Sequence, residues 1–433
     1  MKHLIWESFK AYIRFVHEAI MIRHRYVVGS ENLPAEGDRY FIVSNHQNTA
    51  NDPLNIIFSL PRRYNLTVMA RANVFSIHPW LTRFLHTLGL VPAFRADFEG
   101  LEGITKNQES FDLIAERVNQ RRPFLVFPEG GHTQGHYLDP FTTGTVRMAF
   151  YVAAKNGWKD DIKIVPTAHH YSDYFDVQHD FVWTVGQPIS LQPYYEEYQQ
   201  HPYPVMRRIK NLLHQAVHSM MLDEGNEDYE ERDFLRNSAF NDQRTQPDMP
   251  LPERMKADQR FVDALRSHPR YAEIIGLTRQ LRDEEARLSL TDDTLASHPS
   301  LSSQSLRIVA LLLLLPLWII SLWPNLLCYR LPLLLLRTDL MFTNTYRYIF
   351  SVLIIYPLCA ILTLGIMWGV WGQPWLALLW IALWLPLGRF AYYYRQHYRR
   401  VVQALRLWRH RAEVPAIDSL RQQIATLFCQ QRD

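Results

Sequence analysis

Residues 348–388 form a run of 41 without one Asp, Glu, Lys, Arg or His, and no other feature of this 433-residue chain restricts its folding as tightly. As helix, such a run is twice what a bilayer hydrocarbon core of about 30 Å accommodates. Near its middle it is interrupted by Trp371-Gly372-Gln373-Pro374-Trp375. Glycine and proline mark a turn, and tryptophans on either side suit a membrane–water interface. The pattern predicts a membrane hairpin, 348–371 and 375–393, within a membrane region 306–393. Seven arginines, Arg389, Arg395, Arg399, Arg400, Arg406, Arg409 and Arg411, then follow with no acid before Glu413. By the positive-inside rule that end faces the cytoplasm, and 394–433 reads as a basic cytoplasmic tail. The earlier apolar run 308–329 contains Pro316, Pro324 and Asn325 and is followed by Arg330, Arg337 and Arg347. A span there would carry those arginines outward, so a re-entrant or surface-lying broken helix is expected, with a third span as the alternative.

The first 305 residues are polar by comparison. Lys plus Arg number 46 against 43 Asp plus Glu, a net charge of +3. So balanced a chain has no overall field for nucleic acid, and any phosphate binding must be local. Three cysteines, Cys328, Cys359 and Cys429, supply neither a disulfide framework nor a Cys-rich zinc site and fit a reducing compartment. Residues 1–24 carry a helical apolar stripe, Leu4, Ile5, Phe9, Ile13, Val16 and Ile20, interrupted by Glu7, Lys10, Arg14 and Glu18. Those charges exclude a signal-peptide core and leave an amphipathic helix, packed on its own domain or lying in a membrane interface.

Between 25 and 222, short β-rich runs at 40–44, 66–70, 124–127, 162–166 and 181–185 alternate with helical patterns. In the pattern 105–120, Phe111, Ile114, Ala115 and Val118 share one face. Such alternation predicts an α/β domain, whose sites gather at strand ends. A helix at 204–222 precedes 223–233, which holds seven acids and one arginine, and polar helical sequence continues to 305. Residues 223–305 therefore read as an acidic helical connector between the α/β domain and the membrane region.

Four segments in the α/β part carry chemistry. Asn45-His46-Gln47-Asn48-Thr49-Ala50-Asn51-Asp52 follows the apolar strand FIVS and leads into an apolar helix, an imidazole and a carboxylate with the parts of a general base and its orienting partner. Gly89-Leu90-Val91-Pro92-Ala93-Phe94-Arg95 joins a turn glycine to a cation suited to phosphate, and Arg71 after the strand LTVMA offers a second. RPFLVFPEGG ends a strand at Pro128, Glu129, Gly130 and Gly131, where a glycine turn cradles anions. The fourth is Ile164-Val165-Pro166-Thr167. The pairs His132/His136 and His169/His170 raise a metal reading, but Gly135 spoils a helical ligand face and no metal is expected.

In this order, over about residues 25–222, the four segments resemble the glycerophospholipid acyltransferase family, whose type member acylates 1-acyl-glycerol-3-phosphate. The resemblance implies a glycerolipid acyltransferase-like fold, with His46 as the base that deprotonates the acceptor hydroxyl and Asp52 as its orienting carboxylate. It implies that Arg95, with Gly89, binds the acceptor's phosphate, that Glu129 and Gly130 help hold the acceptor, and that Pro166 shapes the acyl side; Arg71, the second cation read from the sequence, is expected to bind substrate beside them. The family usually places four residues between its His and Asp, whereas five separate His46 from Asp52. The turn before the helix is expected to absorb the extra one, because Asn51, a neutral amide, would not stabilise an imidazolium.

The expected protein is an integral cell-membrane enzyme with its catalytic domain on the cytoplasmic face. It moves an acyl chain from acyl-CoA or acyl carrier protein, as co-substrate and without a cofactor, to a lysophospholipid. The alternatives are acylation of glycerol-3-phosphate or another lysolipid acceptor, and a lipid-binding membrane protein without catalysis.

Overall fold

The computed structural model describes residues 2–61, 66–76, 78–87, 89–93, 96–131, 135–243, 248–335 and 342–429. They form two compact units: His24–Tyr174 with Asp180–Asp223, and Met1–Arg23 with Phe175–His179 and Glu224–Asp433.

The first unit is built on an eight-stranded sheet of β1 (Ile22–Val28), β2 (Arg39–Val43), β3 (Thr67–Arg71), β4 (Leu90–Ala93), β5 (Phe124–Val126), β6 (Ile162–Tyr171), β7 (His179–Val185) and β8 (Ile189–Ser190). The strand order is β1-β7-β6-β2-β5-β3-β4, and β8 pairs with β6. Strands β6, β2, β5, β3 and β4 run parallel, while β7 and β8 are antiparallel to β6. Tyr40, Phe41, Ile42 and Val43 are all buried. That run is continuous rather than alternating because a central parallel strand is covered on both faces. The core joins Phe41, Phe124 and Ile164 of the sheet to Ile114, Ala149 and Ile209, which lie in the helices Ala96–Asn119, Gly144–Lys155 and Pro202–His218.

The α/β expectation holds strand by strand, with two differences that matter for the site. Strand β6 runs past Pro166 to Tyr171, and β4 forms where the sequence shows only a short extended run after Gly89. Val43 lies opposite both Val126 and Pro166, and Arg71 opposite Ala93. The segments after β2 and β5 therefore leave the same edge of the sheet side by side.

In the second unit, Thr343–Val370 and Pro374–Arg409 are long and apolar enough to cross a membrane. The pair Ser305–Ser321 and Asn325–Leu334 bends by 68°, and a third span results if the pair is counted as one. The N-terminal helix Lys2–Ile20 packs by Val16, and its Ile13 carbonyl accepts from Tyr348 Oη at 2.7 Å. The helices Tyr229–Asn237, Leu251–Arg266 and Tyr271–Leu288 share one hydrophobic core with Val414–Cys429, in which Leu235, Phe261 and Leu281 meet Ile417 and Ile424. The regions read from sequence as a connector, 223–305, and a tail, 394–433, thus share a core through their described residues, Leu235, Leu265 and Leu295 meeting Leu407, Val414 and Leu427. Arg236 is buried there among the carboxylates of Glu224, Asp233 and Asp258.

Candidate active site

Beyond Val43 the β2 backbone no longer pairs as a strand, and the Asn45 side chain takes over. Its Oδ1 accepts from the His169 amide at 2.9 Å and its Nδ2 donates to the His169 carbonyl at 3.0 Å. This double bond to β6 fixes the chain one residue before His46. The His46 ring lies against Phe127, centroids 4.2 Å apart and planes at 17°, and its side chain is 21% exposed.

Nδ1 of His46 lies 2.8 Å from Oδ2 of Asp52. Asp52 is the second residue of the helix Asn51–Ser59 and is fully buried. The same Oδ2 accepts the amides of Gln47 and Asn48, each at 2.8 Å. A carboxylate there also meets the positive end of the helix dipole. Its other oxygen accepts from Tyr171 Oη at 2.7 Å and lies 3.1 Å from His169 Nε2. Burial alone would raise the pKa of this group. The charge and hydrogen bond of His169, then those of His46, outweigh it and hold Asp52 well below the usual carboxylate range. An ionised Asp52 assigns the proton of the neutral ring to Nδ1 and leaves Nε2 as the basic nitrogen.

The additional residue between His46 and Asp52 is taken up at Thr49, which has a left-handed φ of 43°, in a turn where the Asn51 amide donates to the Asn48 carbonyl at 2.9 Å. The helix then starts late enough to return Asp52, and not Asn51, to the imidazole.

Glu129 follows β5 and reaches across to the β2 loop. Its Oε1 accepts the His46 amide at 2.7 Å and its Oε2 the Asp139 amide at 3.3 Å. Burial pushes this carboxyl up to about 8, the two amides only partly offsetting it and the charges of Asp139 and Asp52 adding to it. Gly130 next to it has a φ of 72°, and Thr142 closes the turn by donating its amide and hydroxyl to the Pro128 carbonyl at 3.0 and 3.1 Å. Glu129 thus secures the main chain of the base.

Gly89 turns the chain into β4 with a φ of 87°, and a Cβ there would meet the Leu66 carbonyl at 2.5 Å. Its own carbonyl accepts from Arg117 Nη1 at 2.9 Å. Arg71 closes β3 at the sheet edge shared by the His46 and Glu129 loops. Arg95 and His132 lie outside the described residues. Pro166 sits in β6 beside Val43.

Sequence reading missed His169 and Tyr171 as partners of Asp52. They are alternate residues of one strand and so face the same side of the sheet. Their signal was the spacing of two in Ala168-His169-His170-Tyr171, hidden by the expectation that the strand ended at Pro166. A further polar chain runs from Gln47 Oε1, which accepts from Tyr174 Oη at 2.8 Å, to His136 Nδ1, 3.0 Å from the same hydroxyl. A buried anion, a partly exposed imidazole and a locked loop are the apparatus of general-base catalysis on a hydroxyl or water.

Residues 24–170 match the family model described as Acyltransferase. Among solved structures, the chain is similar to PlsC, the 1-acyl-sn-glycerophosphate (LPA) acyltransferase from Thermotoga maritima. The two are 18% identical with a TM-score of 0.31, over 49% of this chain and 80% of that one. A comparison with curated proteins returned no match.

Proposed function

We propose, from the match of residues 24–170 to the Acyltransferase family model, that the protein acylates the free hydroxyl of a lysophospholipid, 1-acyl-glycerol-3-phosphate foremost, using an acyl thioester. The observation that carries the reading is the 2.8 Å contact between His46 Nδ1 and Asp52 on a ring that keeps access to solvent. Nε2 of His46 takes the acceptor's hydroxyl proton as the oxygen attacks the thioester carbonyl. The new C–O bond forms, the tetrahedral intermediate collapses with loss of the C–S bond, and the imidazolium returns the proton to the thiolate. Asp52 stabilises the transient imidazolium without taking its proton. Base catalysis of this kind contributes about 10² to 10⁴ in rate, and holding both substrates contributes the rest.

Arg71, Arg95 and the Gly89 turn are proposed to hold the acceptor's phosphate, with Gly130 beside the acceptor. The apolar helices Thr343–Val370 and Pro374–Arg409 are consistent with membrane association, where lysolipid and product reside. In this reading the catalytic domain faces the cytoplasm, the source of acyl-CoA or acyl carrier protein.

The test is an acceptor panel with purified full-length protein and labelled acyl-CoA or acyl carrier protein. Phosphatidic acid formed faster from 1-acyl-glycerol-3-phosphate than any product from glycerol-3-phosphate or headgroup-bearing lysolipids supports the reading. Faster turnover of one of those acceptors overturns the choice of substrate, and no turnover on any of them overturns the activity.

A further inference from the structure

The second unit contains a cavity of about 330 Å³ lined by none of the residues assigned to acyl transfer. Its described lining contains Arg330, Arg347, Arg389 and Arg395 and no Asp or Glu. Arg395 Nη2 bonds Asp176 at 2.7 Å. Arg347 and Arg389 donate to neutral oxygens. Arg347, only 6% exposed, donates to the Phe175 carbonyl at 2.7 Å, and Arg389 donates to Gln178 Oε1 at 2.8 Å and the Ile22 carbonyl at 3.0 Å. The guanidinium groups of Arg347 and Arg395 both sit over the Tyr329 ring, at 3.9 and 4.6 Å from its centroid. Nε of Arg395 is buried with no hydrogen-bond partner among the described residues. Cations gathered with so little counter-charge in a partly desolvated site are costly unless an anion completes it.

Position says what kind of anion. Arg347 and Arg389 bound the uncharged run 348–388 at its two ends, and the hairpin turns at Gly372 between them. Both arginines therefore lie at one end of the hairpin. Arg389, fifteen residues after Pro374, stands about 23 Å along its helix, close to where a span leaves the hydrocarbon. Of the apolar wall, Leu322, Leu326 and Leu385, Leu385 lies in the span Pro374–Arg409, Leu326 in the bent pair Ser305–Ser321 and Asn325–Leu334, and Leu322 at the break of that pair.

We propose that this cavity binds an anionic phospholipid, its headgroup phosphate among Arg347, Arg389 and Arg395 and its chains leaving over Leu322 and Leu326. Guanidinium pairs match phosphate oxygens, and basic pockets between membrane helices at the interface select anionic headgroups. The volume takes a headgroup and the first methylenes and leaves the chains to the bilayer.

The experiment uses delipidated full-length protein in detergent with equimolar phosphatidylglycerol and phosphatidylcholine, bound lipid being counted by native mass spectrometry. Wild type is expected to retain phosphatidylglycerol over phosphatidylcholine by about tenfold or more. The double variant Arg389→Gln/Arg395→Gln loses that lipid by roughly 30-fold, two interfacial charges' worth. Leu322→Trp, which fills the apolar wall and keeps every arginine, weakens retention as well. Equal retention of both lipids by wild type overturns the proposal without recourse to any variant, as does full retention by a folded double variant. Complete displacement by an equal concentration of inorganic phosphate also overturns it, since a bare phosphate site needs no apolar wall. His46→Ala is expected to bind lipid like wild type, so failure here and failure of the acyl-transfer reading are separate results.

Discussion

Asp52→Asn isolates the charge beneath the base. The amide oxygen, placed at Oδ2, still accepts from the Gln47 and Asn48 amides and from His46 Nδ1, so the loop and the ring keep their places. The negative charge that an imidazolium would face is gone. A full charge pair near 4 Å is worth about 4 kcal/mol at an effective dielectric of about 20, which corresponds to about 10³ in rate. Solvent reaches His46, whose side chain is 21% exposed, and screens part of that, so the expected loss is about 10² to 10³ in kcat. KM should stay within about threefold, because the charge acts on the transition state and not on bound substrate. Steady-state transfer of labelled acyl groups measures both constants, and circular dichroism confirms the fold. A loss under about tenfold in a folded variant, or a change confined to KM, refutes the assigned role of Asp52. The stability effect has a definite sign. A carboxyl held below its ordinary value stabilises the native state at pH above the unfolded value, about 4, and that stabilisation fades as pH falls through the folded value. The wild type's advantage in melting temperature over Asp52→Asn should therefore shrink in acid.

Glu129 carries the opposite sign, since its carboxyl is pushed up to about 8. Between the ordinary glutamate value and about 8 the native state holds an extra proton, so stability declines as pH rises through that window. Thermal melts across it should show Glu129→Gln gaining on wild type with rising pH, and parallel curves would contradict the shift. Tyr171→Phe removes the 2.7 Å hydroxyl donor to Asp52, a bond to a charged group worth about 1.5 to 3 kcal/mol. It should lower kcat by roughly tenfold or more with KM little changed, and an unchanged kcat would dismiss Tyr171 as a positioning residue. Gly89→Ala places a methyl against the Leu66 carbonyl at a φ of 87° and should cost about 1 to 3 kcal/mol in denaturant unfolding. A neutral result would mean that the turn before β4 relaxes freely.

The sheet was legible because apolar runs bounded by turn residues report strands directly, and His46 and Glu129 were legible because functional groups collect at strand ends. The geometry of Asp52 was harder to read. Counting residues from His46 gives the wrong helical face, and only the left-handed φ at Thr49, a conformation that threonine rarely adopts, restores it. Tyr171 and His169 escaped notice because the proline in Ile164-Val165-Pro166-Thr167 signals a strand end, yet β6 continues to Tyr171. Residues 223–305 and 414–429 share a core through contacts far apart in sequence. Their high charge conceals this, because helices with one narrow apolar stripe read as solvated when each is taken alone.

Single-turnover acyl transfer by His46→Ala, with both substrates saturating, tests the central claim most directly. With the fold intact and both substrates bound, the rate should fall by about 10² to 10⁴. Transfer at the wild-type rate would mean that the imidazole beside Asp52 is not the base.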